Sequence, residues 1–122
     1  MDELQVQTLN EMSSMCRGAA ERWYHDPLTG ERIFLNKGER FALMHSELSE
    51  AFEAERKDLM DDHLPNRRGV EAELADLLIR VFDYAGEYSL DLGGAVRDKL
   101  EYNSTREDHT NAARLAPGGK KF

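Results

Sequence analysis

Between residues 69 and 89, Val70, Leu74, Leu77, Leu78, Val81, Ala85 and Tyr88 recur at spacings of three and four residues. Apolar side chains with that period line one face of an α-helix, and a strand would scatter them over two faces. A helix with one greasy face needs other elements to cover it, and the rest of the chain offers the same pattern. Residues 37–58 place Phe41, Met44, Leu48, Ala51 and Phe52 on a stripe, and Asn36 and Glu39 ahead of it have capping-box spacing. Residues 3–24 carry Leu4, Leu9, Met12, Met15, Ala19, Ala20 and Trp23, a looser helical spacing that Gly18 weakens slightly. Asp91 can cap a fourth helix running to about 105, with Leu92, Ala95, Val96 and Leu100 facing inward.

The segments between these helices are rich in turn formers. His25-Asp26-Pro27-Leu28-Thr29-Gly30 combines a fixed φ, a permissive glycine and an aspartate able to bond nearby backbone. Asp61-Asp62-His63-Leu64-Pro65-Asn66 interrupts the pattern again, and Arg67-Arg68-Gly69 leads into the third helix. Only Arg32-Ile33-Phe34-Leu35 reads as a short extended piece, so the expectation is an all-α, four-helix bundle. One domain over residues 1–122 suffices for a chain of this length, with an irregular polar tail at 107–122.

The charge narrows the partners. With 16 basic and 24 acidic residues the chain carries −8, which opposes binding to nucleic-acid polymers, where phosphates must be neutralised by Lys and Arg. A small nucleotide carried with a divalent cation remains compatible. Cys16 is the only cysteine, so neither an internal disulfide nor a thiolate zinc cluster can form within one chain, and a reducing cytoplasm is the expected setting. No stretch approaches the roughly 18 apolar residues that cross a bilayer, and no membrane association is expected.

Two segments resemble one another. Glu47-Leu48-Ser49-Glu50-Ala51-Phe52 and Glu73-Leu74-Ala75-Asp76-Leu77-Leu78 each place two acids three residues apart, flanking an apolar stripe. Packed antiparallel, two such helices can converge four carboxylates, whose mutual repulsion raises their pKa values unless a cation offsets it. The di-iron bundle signature requires Glu-x-x-His, and both pairs here end in an acid, which leaves an all-oxygen site suited to Mg²⁺, with Mn²⁺ as a possible substitute. The competing explanation is a pair of solvated acidic helix faces, since this chain has acids to spare.

At these residues the sequence resembles the MazG-like, all-α nucleotide pyrophosphohydrolases, whose signature is Glu-Glu-x-x-Glu followed after a variable loop by Glu-x-x-Asp. Here 22 residues separate Glu50 from Glu73. The similarity extends through HLPNRRGVEAELADLLIRVFDYAG at 63–86, KLEYNSTR at 99–106 and the closing GGKKF, covering about residues 40–122. Ser46 replaces the first glutamate of the signature, and EDHTNAARLAPGGKKF is longer than the family pattern there. The resemblance implies Glu47, Glu50, Glu73 and Asp76 as metal-binding and catalytic carboxylates, and cleavage of a nucleoside or deoxynucleoside triphosphate to monophosphate and pyrophosphate. It also implies pockets built between subunits, hence a homodimer or homotetramer.

Lys99, Asn103 and Arg106 lie at i, i+4 and i+7, one row on a helix that can meet phosphate oxygens, and Lys120 and Lys121 can close over it. Trp23, just before the first turn, is a candidate for stacking on a nucleobase, while Arg80 and Asp83 suit interhelical ion pairs. Two rival functions are phosphoribosyl-ATP pyrophosphohydrolysis, which has the same metal chemistry, and a non-catalytic acidic helical interaction protein.

Overall fold

A computed structural model describes residues 1–106 and 110–120. Its elements are α1 (Glu3–Ala19), a short 3₁₀ turn (Glu21–Tyr24), α2 (Lys37–Lys57), α3 (Gly69–Glu87), α4 (Leu92–Thr105) and α5 (Asn111–Leu115). Among the described residues there is no strand, and the extended pieces meet only in isolated bridges, His25 with Arg32 and Met60 with Arg68. The chain is all-helical. No helix among the described residues is long and apolar enough to cross a membrane.

Two regions differ from the sequence expectation. The first helix stops at Ala19, and the next turn tightens to 3₁₀, so Trp23 and Tyr24 leave the α1 spiral. The region expected to be an irregular tail holds α5, capped by the Thr110 hydroxyl, which accepts from the Ala113 N–H at 3.1 Å. Among the described residues, five α-helices therefore stand where four were expected.

The chain divides into two compact units, residues 1–10 with 91–122 and residues 11–90. In the first, Gly93 and Gly94 are buried, and a Cβ on Gly93 would collide with the Val6 backbone, so α4 begins hard against α1. Asn10 bridges them by accepting from the Gly93 N–H and donating to Asp91, each at 2.8 Å.

The second unit holds the long α2–α3 pair. Asn36 caps α2 by accepting from the Glu39 N–H at 3.0 Å, and Asp58 ends it in the left-handed conformation. The return is clasped shut: Asp61 N–H donates to Arg67 at 2.9 Å and Gly69 N–H to Leu59 at 2.7 Å. Gly69 sits so close to Ala54 that a Cβ there would lie 2.9 Å from the alanine methyl. That clasp makes the helices antiparallel, with Ala54 facing Gly69, Glu47 facing Arg80 and Arg40 facing Asp83.

The faces turned inward are not the ones the periodicity suggests. On α2 the buried residues are Arg40, Glu47, Ala51 and Ala54, whereas Phe41, Leu48 and Phe52 of the expected stripe are 48%, 51% and 64% exposed. Leu74 and Leu78 of α3 are likewise exposed. On α1 the buried positions are Val6, Ser13 and Cys16, while Leu4 and Met15 face solvent; on α4, Ala95 and Leu100 face solvent. Alongside Phe82 and the Phe41–Tyr84 ring contact, α2 and α3 meet through small and charged side chains, and Gly69 marks the point of closest approach.

Gly86 provides a test. A Cβ there would come within 2.6 Å of the Arg17 Cβ and closer still to the Ser13 carbonyl oxygen, whereas Gly18 has open space around it. Urea unfolding of Gly86→Ala should show a loss of about 1–3 kcal/mol from overpacking. Gly18→Ala should gain roughly 0.5–1 kcal/mol from helix propensity, and the opposite ordering would contradict the close α1–α3 approach.

Candidate functional site

The antiparallel register carries both acidic pairs to the same stretch of the α2–α3 seam. Carboxylate oxygens of Glu47, Glu73 and Asp76 all lie within 4.8 Å of one another. Glu50, the fourth acid, is not one of that group, but with Glu47 it acts on the ionisation of Glu73. Burial of Glu73, followed by those two carboxyls, pushes its pKa from 4.5 up to about 7. Asp76 is also raised, first by burial and then by the Glu47 charge, with Arg80 opposing and Asp61 adding to the shift.

Among the described residues, one cation reaches the cluster directly. Arg80 Nε donates to Glu47 Oε1 at 2.9 Å, and the Glu47 side chain is largely buried while that of Arg80 is partly exposed. One guanidinium among four carboxylates leaves a net negative charge in a restricted space. The donor set is entirely hard oxygen, with a partly buried carboxylate at its centre, and it suits Mg²⁺ or Mn²⁺.

Beside the cluster lies a cavity of about 420 Å³. Trp23, Leu35, Leu43 and Met44 give it an apolar wall, and Arg40, Arg80 and Asp83 a polar one. Trp23 itself is 61% exposed. The fully buried aromatic at the end of the 3₁₀ turn is its neighbour Tyr24, whose hydroxyl donates to Asp83 at 2.9 Å. Burial, then the bond to Asp83, raises the Tyr24 phenol well above its ordinary pKa, so it stays a protonated donor.

Asp83 also accepts from Arg40 Nη2 at 2.8 Å, and the Arg40 side chain is only 8% exposed. Its guanidinium stands 5.3 Å from the Tyr24 ring and 5.1 Å from the Tyr84 ring, while its buried Nη1 has no hydrogen-bond partner among the described residues. Arg17 and Arg32 also stack on Tyr24, and both reach Glu87.

The remaining sequence candidates lie in the other compact unit. Lys99 and Arg106 both approach the Tyr102 ring, at 5.1 and 5.6 Å, and Asn103 between them is half-buried with its Oδ1 unpartnered among the described residues. Lys120 follows α5 and lines a 250 Å³ cavity with Asn111, Arg114 and Leu115. Lys121 lies outside the described residues.

Sequence reasoning passed over Arg40 and Asp61. The signal for Arg40 was its spacing: Arg40, Met44, Glu47, Ala51 and Ala54 repeat at four and three residues, and that row is the true inner face of α2. No protein-family model matches the chain, and neither the curated proteins nor the solved structures searched contain a match.

The raised Glu73 pKa has a pH signature. Between 4.5 and about 7 the folded protein holds a proton that the unfolded chain has released. Stability without divalent cations should therefore fall as pH rises through that window. Glu73→Gln keeps the shape and removes the titration, so its melting temperature in EDTA should be flatter with pH than that of the native chain. Parallel curves would show that Glu73 does not carry the shift.

Proposed function

We propose that this chain is a Mg²⁺-dependent nucleoside-triphosphate pyrophosphohydrolase of the MazG-like kind, releasing pyrophosphate and a nucleoside monophosphate. The observation that carries the reading is the gathering of Glu47, Glu73 and Asp76 oxygens within 4.8 Å, with Glu50 near enough to raise the Glu73 pKa, beside a cavity with an aromatic wall.

In this reading Glu47, Glu50, Glu73 and Asp76 hold the metal. When bound, Mg²⁺ offsets triphosphate charge and makes its water more acidic. One of the four carboxylates accepts the proton of the water that attacks the α-phosphorus in line. Trp23 offers a ring face to the nucleobase, and the apolar side chains of the cavity exclude water around it. Lys99, Asn103, Arg106 and Lys120, all in the unit of residues 1–10 with 91–122, carry donors of the kind that phosphate oxygens accept. The exposed Phe41, Leu48 and Phe52 face of α2 supports a homodimer as the smallest assembly, with a second copy covering it.

Pyrophosphate release from a panel of nucleoside triphosphates, with Mg²⁺ and with EDTA, tests this reading. Glu50→Gln and Asp76→Asn should each lower kcat/KM by about a hundredfold or more while leaving the helical circular dichroism intact, since each removes a charged ligand at nearly constant volume. Near-normal turnover by both variants would sink the metal assignment, and release undiminished by EDTA would sink the metal dependence. A panel that includes phosphoribosyl-ATP separates the general nucleotide reading from the biosynthetic one.

A further inference from the structure

We infer that Arg80 is an exchangeable counter-ion: paired with Glu47 in the metal-free protein, it is released when a divalent cation arrives and then binds an anionic phosphate group of the ligand in the adjoining cavity. The inference rests on the metal-dependent reading above and adds a role for a side chain that the resemblance does not assign.

Three observations carry it. Arg80 belongs to two places at once, since its Nε bonds Glu47 in the acidic cluster and its side chain lines the 420 Å³ cavity. The other cation of that cavity, Arg40, has a side chain 8% exposed and fixed by Asp83, while that of Arg80 is 39% exposed and, among the described residues, ion-paired only with Glu47, so Arg80 is the cation with room to move. Glu47 Oε1, which accepts from Arg80, belongs to one of the three carboxylates close enough to share a cation. A metal at that oxygen competes with the guanidinium for the same lone pairs, and like charge pushes the two apart.

The electrostatics of the chain give the exchange a purpose. A protein at −8 has to receive a ligand carrying about four negative charges, and the acids that hold the metal repel it. A guanidinium set free by metal binding supplies a planar, permanently charged fork at the cavity wall, suited to phosphate oxygens. Metal and anionic ligand then bind cooperatively: the first frees the cation that the second needs, and neither alone gains the full set of contacts.

Isothermal titration of the full chain with MgCl₂ alone, and then of the Mg²⁺-saturated chain with α,β-methylene analogues of the four deoxynucleoside triphosphates, reads the two halves separately. Arg80→Met should bind Mg²⁺ alone several-fold more tightly, because a competing cation is gone, yet bind the tightest of the four analogues about tenfold more weakly, the size of one charge-assisted hydrogen bond. Arg80→Lys, which keeps the charge but not the fork, should leave Mg²⁺ affinity near that of the native chain and lose less analogue affinity than the methionine variant. If the methionine variant fails to fold by circular dichroism, the lysine variant decides: analogue affinity equal to the native value would overturn the inference. A role limited to holding α2 against α3 would weaken both affinities or neither, so opposite signs support the exchange and equal signs overturn it. A native chain that binds no Mg²⁺ overturns this inference together with the metal reading, whereas Mg²⁺ binding with analogue affinity unchanged in Arg80→Met overturns this inference alone.

Discussion

The second unit depends on a charged seam. Beside the Phe41–Tyr84 ring contact, α2 and α3 meet through Arg40 with Asp83, Glu47 with Arg80, and alanine against glycine at the clasped end. Such a seam is costly to desolvate, and each ion must recover the loss through geometry. Here the recovery is visible: Asp83 accepts from both Arg40 and Tyr24, and aromatic rings lie within about 5 Å of the Arg40 guanidinium.

The charge is graded along the seam. At the Arg40 end each ion has its opposite. Toward Glu50 and Glu73 the acids outnumber the one nearby guanidinium, and Glu73 responds by holding its proton to about pH 7. The cavity opens where the two regimes meet, since Arg40 and Arg80 both line it. A ligand lodged there would meet the buried Arg40–Asp83 pair on one side and the carboxylate cluster, reached through Arg80, on the other.

How much of this was legible in the sequence follows from what each signal encodes. The 3.6-residue period and the Asn36 and Asp91 caps located α2, α3 and α4 to within a residue or two, because those signals are local, whereas the end of α1 was placed five residues too late. The paired acids at 47, 50, 73 and 76 were legible as a set because each pair lies on one helix. Which face turns inward was not legible on α2, where Phe41, Leu48 and Phe52 have the spacing of a core stripe but stay at the surface. Periodicity measures only that apolar residues share a face; it cannot say whether that face meets the same chain or another. The Arg40–Asp83 and Glu47–Arg80 pairs, more than thirty residues apart, depend on a register fixed by close approach at Gly69.

The clasp between Leu59 and Gly69 has a consequence for how the segment it encloses can vary. Because Met60 bridges Arg68 and Asp61 bonds Arg67, the two helix ends are fastened to each other at the base of the loop, and the exposed tip at 62–66 hangs beyond the fastening. Extra residues inserted at that tip lengthen a closed loop, whose entropic cost grows only logarithmically with length. The spacing between the two acid pairs along the chain is thus free to drift while their spacing in space stays fixed. A fluorophore, affinity tag or whole small domain grafted at 62–66 would ride outside the fastening and leave the register of the carboxylates untouched.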